Sequence, residues 1–223
     1  MRPTIPLVLL LALVAPLAAQ EGKKKGDRTP AEVDKALARA LEQKKVTASF
    51  DEAPISQVTG FIQDLTAIPI VLGPGIDPAA PVTFKVNGLA ATNALKLALG
   101  ELDGDHELRV WNGVVFLSAK GHELPALPSP PESADSPLAQ TMTLNFGGLP
   151  FAHFKGFLVD NTGLEVVIDE EAEARLARVK VALRISDLPL WRLLPLLQAL
   201  YGVEGKVDGQ ALRFSVPAGK QKE

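Results

Sequence analysis

The sequence predicts an α+β protein: two tandem βαββαββ modules, each with two helices packed on a small mixed sheet, preceded by one N-terminal helix. Three observations lead to this prediction. Short alternating strands are interleaved with apolar repeats of helical spacing, a proline-rich segment divides the chain, and the sequences on either side of that segment repeat each other. The 223 residues are 47% hydrophobic, which is enough for two small packed domains.

Composition excludes several classes of function. The chain has no cysteine, so disulfides, thiolate metal sites and thiol nucleophiles are ruled out. Its 23 Lys and Arg residues against 26 Asp and Glu give a net charge of −3, which offers no basic field for a phosphate backbone. Nucleic acid is therefore not an expected partner.

Residues 1–19 are typical of a secretory signal peptide. Arg2 precedes an apolar run from Leu7 to Ala15, which is shorter than the roughly 20 residues that a membrane helix needs. Cleavage is expected after Ala19, although Leu17 at the third position before the bond leaves the bond itself open; a retained anchor is the alternative. The mature protein is expected to be periplasmic or secreted, with no integral membrane span.

Residues 20–45 predict a polar tail followed by an amphipathic helix. Thr29 and Glu32 have the spacing of a capping box, and Pro30 suits the first helical position. Val33, Leu37 and Leu41 then form a narrow apolar stripe, which we expect to pack on another part of the protein.

Residues 121–140 predict an extended, semi-rigid linker, because they contain five prolines, which cannot donate to a helix or sheet. The linker separates module 1, residues 46–120, from module 2, residues 141–218, and is expected to let them move independently. Residues 219–223 are a second polar tail.

The two modules are copies of each other. Eight of the 25 positions from 47 to 71 are identical to the position 96 residues later, where composition alone would give about one or two. The identical pairs are Thr47 and Thr143, Phe50 and Phe146, Pro54 and Pro150, Gly60 and Gly156, Phe61 and Phe157, Asp64 and Asp160, Thr66 and Thr162, and Val71 and Val167. Beyond a three-residue insertion the offset becomes 99, as in Leu97 and Leu196.

Each module predicts the same order of elements. In module 1 the expected strands are 46–50, 69–72, 81–86, 107–111 and 114–118, with helices over 55–66 and 91–102. Asn112 and Gly113 suit a tight hairpin turn with positive φ at both positions. In module 2 the strands are 141–146, 165–168, 179–185 and two around Asp208 and Gly209, with helices over 151–161 and 189–201. The acidic run 169–173 predicts an exposed turn entering a short helical insertion, with a cation site as the alternative.

The run from Phe50 through Ile55 to Thr66, followed by Ile70 to Leu72 and Pro81 to Val86, resembles the secretin and TonB short N-terminal domain. The resemblance covers most of residues 46–120, and module 2 shares it through Leu149 to Pro150 and Leu188 to Leu190, here without the secretin barrel. It implies periplasmic modules that contact other subunits or signalling partners of outer-membrane machinery.

No catalytic arrangement emerges from the residues. Asp64 and Asp160 occupy the same helical position in both modules, which favours local hydrogen bonding or capping. His106, His122 and His153 lack metal-ligand spacing. We therefore expect no cofactor, no metal and no enzymatic activity.

The function expected is that of an exported protein-interaction or adaptor protein. Its partner would be a protein of the cell envelope, in a secretin-type or TonB-type outer-membrane complex, or a second copy of the chain. Pairing at an open sheet edge is the natural binding mode. The alternatives are an enzyme that binds a cell-wall glycan or peptide in a groove between the modules, recognisable by polar residues converging in one cleft, and a periplasmic sensory module.

The candidate interaction surface lies on the second helix of module 2, which is apolar nearly all round. Its members beyond the inward stripe are Trp191, Pro195, Leu196 and Ala199. The matching helix of module 1 has polar residues on its outer side: Thr92, Asn93, Lys96 and Glu101. A helix that is apolar on all sides is normally covered twice. The outer cover is either internal, from the N-terminal helix or module 1, or a partner protein.

Overall fold

The computed structural model describes residues 29–218. The predicted signal peptide, the tail up to residue 28 and residues 219–223 lie outside the described residues. The chain contains both helices and small sheets, which confirms the predicted α+β class. Between residues 29 and 218, no helix is both long and apolar enough to cross a membrane.

The helices and strands follow the predicted order, with α5 as the short insertion in module 2. The N-terminal helix is α1 (Pro30–Gln43). Module 1 contains β1 (Lys45–Pro54), α2 (Ile55–Thr66), β2 (Ile70–Leu72), β3 (Pro81–Ala90), α3 (Ala91–Gly100), β4 (His106–Trp111) and β5 (Val114–Ala119). After a 3-10 helix (Pro137–Ala139), module 2 contains β6 (Thr141–Pro150), α4 (Phe151–Thr162), β7 (Glu165–Ile168), α5 (Glu170–Leu176), β8 (Lys180–Pro189), α6 (Leu190–Tyr201), β9 (Glu204–Asp208) and β10 (Ala211–Ser215).

Helix α1 begins with the predicted capping box. The Thr29 hydroxyl accepts from the backbone N–H of Glu32 at 3.3 Å, and the Glu32 carboxylate accepts from the backbone N–H of Thr29 at 2.9 Å. Leu41 is buried, and Leu37 packs beside it on the core of module 1. The apolar stripe therefore docks on its own chain.

Each module has two small sheets where the sequence predicted one. In module 1, β1 and β3 form an antiparallel ribbon, while β2, β5 and β4 form a mixed three-stranded sheet in which β2 and β5 are parallel. Module 2 repeats this with β6 and β8, and with β7, β10 and β9. Two register shifts interrupt each ribbon, and such bulges bend and twist a strand pair away from a continuous sheet.

Identical residues of the repeat make the same contacts in both modules. The hydroxyls of Thr66 and Thr162 each donate to the carbonyl four residues earlier at 2.7 Å and each accept from the N–H two residues later at 3.2 Å. Phe50 meets Phe61 edge to face at 5.6 Å between ring centroids, and the pair 96 residues later does so at 5.1 Å. The repeat is thus present in the side-chain geometry as well as in the sequence.

The core of module 2 continues into module 1. Val71, Val114 and Phe116 of module 1 belong to the same buried cluster as the core residues of module 2. Leu124 and Leu138, near the two ends of the linker, also pack on this cluster. The shared core differs from the expectation of independently moving modules, because apolar surface is buried between them.

Candidate functional site at the module junction

The structure places the predicted interaction surface in the interior. Trp191 is 9% exposed, Leu196 0% and Ala199 4%, and Pro195 is also buried. The outer side of α6 contacts the 3-10 helix before module 2, the start of the linker and the β4–β5 turn of module 1. Of the two alternatives for this face, the structure matches internal packing, and these four side chains are not available to a partner.

A buried polar cluster joins α1, the β4–β5 turn and α6. The Asp34 carboxylate accepts from the backbone N–H of Asn112 at 3.1 Å and from that of Gly113 at 2.6 Å. Arg192 donates through Nε to the Asn112 side-chain oxygen at 3.0 Å, and Asn112 donates through Nδ2 to the Arg192 carbonyl at 2.5 Å. Arg192 Nη2 lies 3.8 Å from Asp34 Oδ1.

The local backbone explains why this turn can enter the junction. Asn112 and Gly113 have φ values of 57° and 75°, as the sequence predicted for a tight hairpin turn. The left-handed conformation leaves the two N–H groups free of the β-ladder, and both point to Asp34. A Cβ atom on Gly113 would stand 2.6 Å from Arg192 Nη2, so glycine also provides the room for the guanidinium.

Burial changes the protonation properties of two groups on α6. Desolvation lowers the pKa of Arg192, and the negative charge of Asp34 opposes that shift. Desolvation also raises the pKa of Tyr201 to about 12, against a hydrogen bond with the Ala182 backbone. Both shifts reflect the depth at which α6 lies.

A second contact joins α2 of module 1 to β8 of module 2. Gln63 donates to the Arg184 carbonyl at 2.7 Å, while its own side-chain oxygen accepts from Ile70 N at 3.3 Å. Asp64 lies 2.5 Å from the Arg184 guanidinium. Asp64 therefore forms an ion pair between modules rather than the predicted local cap, and the neighbouring Thr66 caps the helix instead.

A cleft of about 370 Å³ opens along the junction. Residues from both modules and the linker line it, among them Pro74, His122, Glu123, Arg175 and Tyr201. The His122 ring nitrogen Nε2 lies 3.1 Å from the Ala199 carbonyl, and the ring stacks on Phe116. Arg175 donates to the Gly202 carbonyl at 3.2 Å. Both of these polar side chains therefore contact backbone carbonyls at the C-terminal end of α6.

Large apolar side chains remain exposed mainly on the helices of module 1. Within residues 29–218 they are Phe61 (40%), Leu65 (44%) and Leu97 (47%) of module 1, and Val159 (38%) of module 2. Helices α2 and α3, which carry the first three, contact each other. Leu97 is the repeat partner of Leu196, which is fully buried, so the same position is covered in one module and open in the other.

The described residues contain no group of three or more potential metal ligands. The three histidines that the sequence singled out lie apart: His106 is 3.3 Å from the Gly75 carbonyl, His122 is at the junction, and His153 is exposed on α4. The acidic run forms the turn and start of α5, which confirms the predicted helical insertion.

Sequence reasoning missed the cluster of Asp34, Asn112 and Arg192. Two signals pointed towards it: an arginine in the middle of an apolar helix, and an Asn-Gly turn that was interpreted as a hairpin connection alone. Neither signal names its partner. Asp34 and Asn112 are 78 positions apart, Asn112 and Arg192 are 80 apart, and the three residues meet only through tertiary packing.

Comparison with known proteins adds no relative. No protein family, no curated protein and no solved structure matches the chain.

Proposed function

We propose that the chain is an exported, non-catalytic adaptor protein of the cell envelope, which binds a partner protein through the helical face of module 1. One observation carries the proposal: Phe61, Leu65 and Leu97 are exposed on two adjoining helices of a module whose other large apolar residues are largely covered. Exposed apolar surface of this kind is typical of protein interaction sites.

The resemblance to secretin and TonB short N-terminal domains supplies the expected setting. Such modules contact other subunits of outer-membrane machinery, so the proposed partner is a protein of a secretin-type or TonB-type complex. The contacts between modules support a fixed geometry in which module 1 and the linker cover the second helix of module 2, while module 1 presents its own helices outward.

The partner surface is tested by capture from an envelope extract with the purified mature chain. Leu65→Ser combined with Leu97→Ser removes apolar area and leaves the ring contact of Phe61 with Phe50 intact. The matched control is Val159→Ser, which removes an exposed apolar side chain from module 2. Loss of one specific captured protein with the double variant, and its retention with the control, is expected; equal capture by both would contradict the surface.

Export has a separate test. The proposed signal peptide predicts that native protein isolated from the envelope lacks about nineteen N-terminal residues. Intact-mass measurement checks this, and recovery of Met1 in the mature fraction would contradict cleavage.

The cleft favours a second candidate, binding of a cell-wall glycan or peptide between the modules. The specific observation is that Arg175 of module 2 and the consecutive linker residues His122 and Glu123 line one opening. Calorimetry with soluble cell-wall fragments tests it: Arg175→Ala should weaken binding, whereas the exposed neighbour Arg178→Ala should not. Absence of heat with the unmodified protein would remove this candidate.

A further inference from the structure

The Asp34 carboxylate connects three segments that are distant in sequence. It belongs to α1, it accepts from both backbone N–H groups of the β4–β5 turn of module 1, and it lies beside the guanidinium of Arg192 in module 2. The Asp34 side chain thus contacts both the turn of module 1 on which α1 packs and the junction between the modules.

Arg192 depends on Asp34 for its counter-charge. The residue is 8% exposed, and within residues 29–218 its Nη2 atom has no hydrogen-bond acceptor, so the ion pair at 3.8 Å is the compensation at that nitrogen. Asp34 is the charged group that faces it among the described residues, while Asn112 and the Trp191 ring are neutral neighbours. A buried arginine without its partner carboxylate is strongly unfavourable. If Asp34 is removed, hydration of the Arg192 guanidinium becomes favourable, and separation of the β4–β5 turn of module 1 from α6 would expose it.

Helix α1 packs on the rest of the protein through fewer buried side chains than the elements within the two modules do. Of its fourteen residues only Leu41 is buried, and its other contacts with α3, β3 and β4 come from half-exposed side chains. It has its own capping box and ends at Gln43, and Lys44 alone separates it from β1. Segments with few buried contacts open more readily than the core around them.

We infer that α1 is a clasp: its docking, through Asp34, holds the two modules in one arrangement, and its release opens the interface between them. The two events are thermodynamically linked, because Asp34 is bonded to module 1 and ion-paired with module 2 in the same position. Whatever binds or pulls α1 therefore changes the angle between the modules and the shape of the cleft at their junction.

Spin-label distance measurements on the full mature chain test this inference. The chain has no cysteine, so labels placed by Lys96→Cys on α3 and Gln210→Cys in the β9–β10 turn react at these positions only. Both positions are exposed, one in each module. With Asp34 present, the protein should give one narrow distribution of distances between the two labels. The Asp34→Ala variant should raise the population of longer distances by at least about tenfold.

Two further variants keep the result interpretable. Asp34→Asn keeps an acceptor for the turn but removes the charge, so it should open the interface to a smaller extent than Asp34→Ala. Glu42→Ala removes an exposed carboxylate from the same helix and should leave the distribution unchanged. The two tryptophans, Trp111 and Trp191, adjoin Asn112 and Arg192, so their fluorescence should shift to longer wavelength together with the opening.

The inference is overturned in either of two ways. Asp34→Ala could keep the narrow distribution while the protein remains folded by circular dichroism, which would mean that the clasp does not hold the modules. Alternatively, module 1 could unfold in the variant, with no population in which both modules are folded but separated. This result would mean that Asp34 stabilises only the β4–β5 hairpin and not the module interface.

Discussion

The β4–β5 and β9–β10 turns each contain a glycine, and the surroundings of the two glycines differ. Gly113 has φ +75° and lies against the Arg192 guanidinium. Gly209, in the corresponding turn of module 2, has φ +60°, and a Cβ atom added there would meet nothing within 4 Å. Both turns therefore require a positive φ, but of the two glycines only Gly113 is closely packed against another side chain.

Gly113→Ala is expected to destabilise the protein more than Gly209→Ala. Both substitutions place a side chain at positive φ, which costs about 1 to 2 kcal/mol. At Gly113 the added methyl also displaces Arg192, and overpacking of this kind adds about 1 to 3 kcal/mol. Urea unfolding of the two variants measures the difference, and equal losses would show that Arg192 moves aside at no cost.

The raised pKa of the buried Tyr201 phenol predicts that the protein loses stability at alkaline pH. Its pKa is raised to about 12 in the folded protein, against about 10 in an unfolded chain. Between these values the folded state binds more protons than the unfolded state, so the free energy of unfolding falls as pH rises, by up to about 3 kcal/mol. Below pH 10 this contribution is constant.

The measurement compares urea midpoints of the unmodified protein and Tyr201→Phe from pH 9 to pH 12. The variant should lose less stability over this range. Because the chain has one tyrosine, absorbance titration of the phenol reports this group directly. An ordinary phenol titration near pH 10 in the folded protein would contradict the burial of Tyr201.

At the scale of the element, the paired threonines close the first helix of each module. Thr66 and Thr162 satisfy a helix carbonyl and the first N–H of the following loop. Thr66→Val and Thr162→Val keep the side-chain shape but remove both hydrogen bonds. Each should lower the free energy of unfolding by about 1 to 2 kcal/mol, more at the buried Thr66 than at the half-buried Thr162. Equal or negligible losses in chemical denaturation would contradict this order.

The order of elements was predictable from the sequence, but the length of the ribbon strands was not. The first strand was expected to end at Phe50, yet β1 continues to Pro54, because the backbone N–H of Glu52, at φ 47°, donates to the Thr83 hydroxyl within a bulge of the pairing. The strand over 81–86 was likewise expected to end at Val86; instead the Gly88 N–H donates to the Thr47 hydroxyl and β3 continues to Ala90. Cross-strand contacts override local turn propensity at both places.

The site was harder to predict for the same reason. The apolar residues around α6 indicated that the helix is covered on two sides, and Trp191 and Leu196 are indeed buried. The identity of the cover depends on the approach of the β4–β5 turn, which local sequence does not encode.

At the scale of the whole molecule, the junction predicts that the modules stay together without the linker. A protease site placed at the exposed residues 132–135 would cut the connection and leave the shared core untouched. The two fragments should then co-elute in size-exclusion chromatography at the position of the uncut protein, and should separate only in denaturant. Separate elution of two folded fragments would contradict a stable junction.

The outer faces of α3 and α6 differ, and this difference limits head-to-tail association of such modules. Module 1 places its hairpin on the second helix of module 2, and a contact of this head-to-tail kind between like units would build an open filament if every unit offered the same receiving face. Module 1 has Thr92, Asn93 and Lys96 where module 2 has Trp191, Arg192 and Pro195. The outer side of α3 therefore lacks the aromatic and proline side chains on which the hairpin of module 1 packs in module 2, so module 1 does not offer the same receiving face.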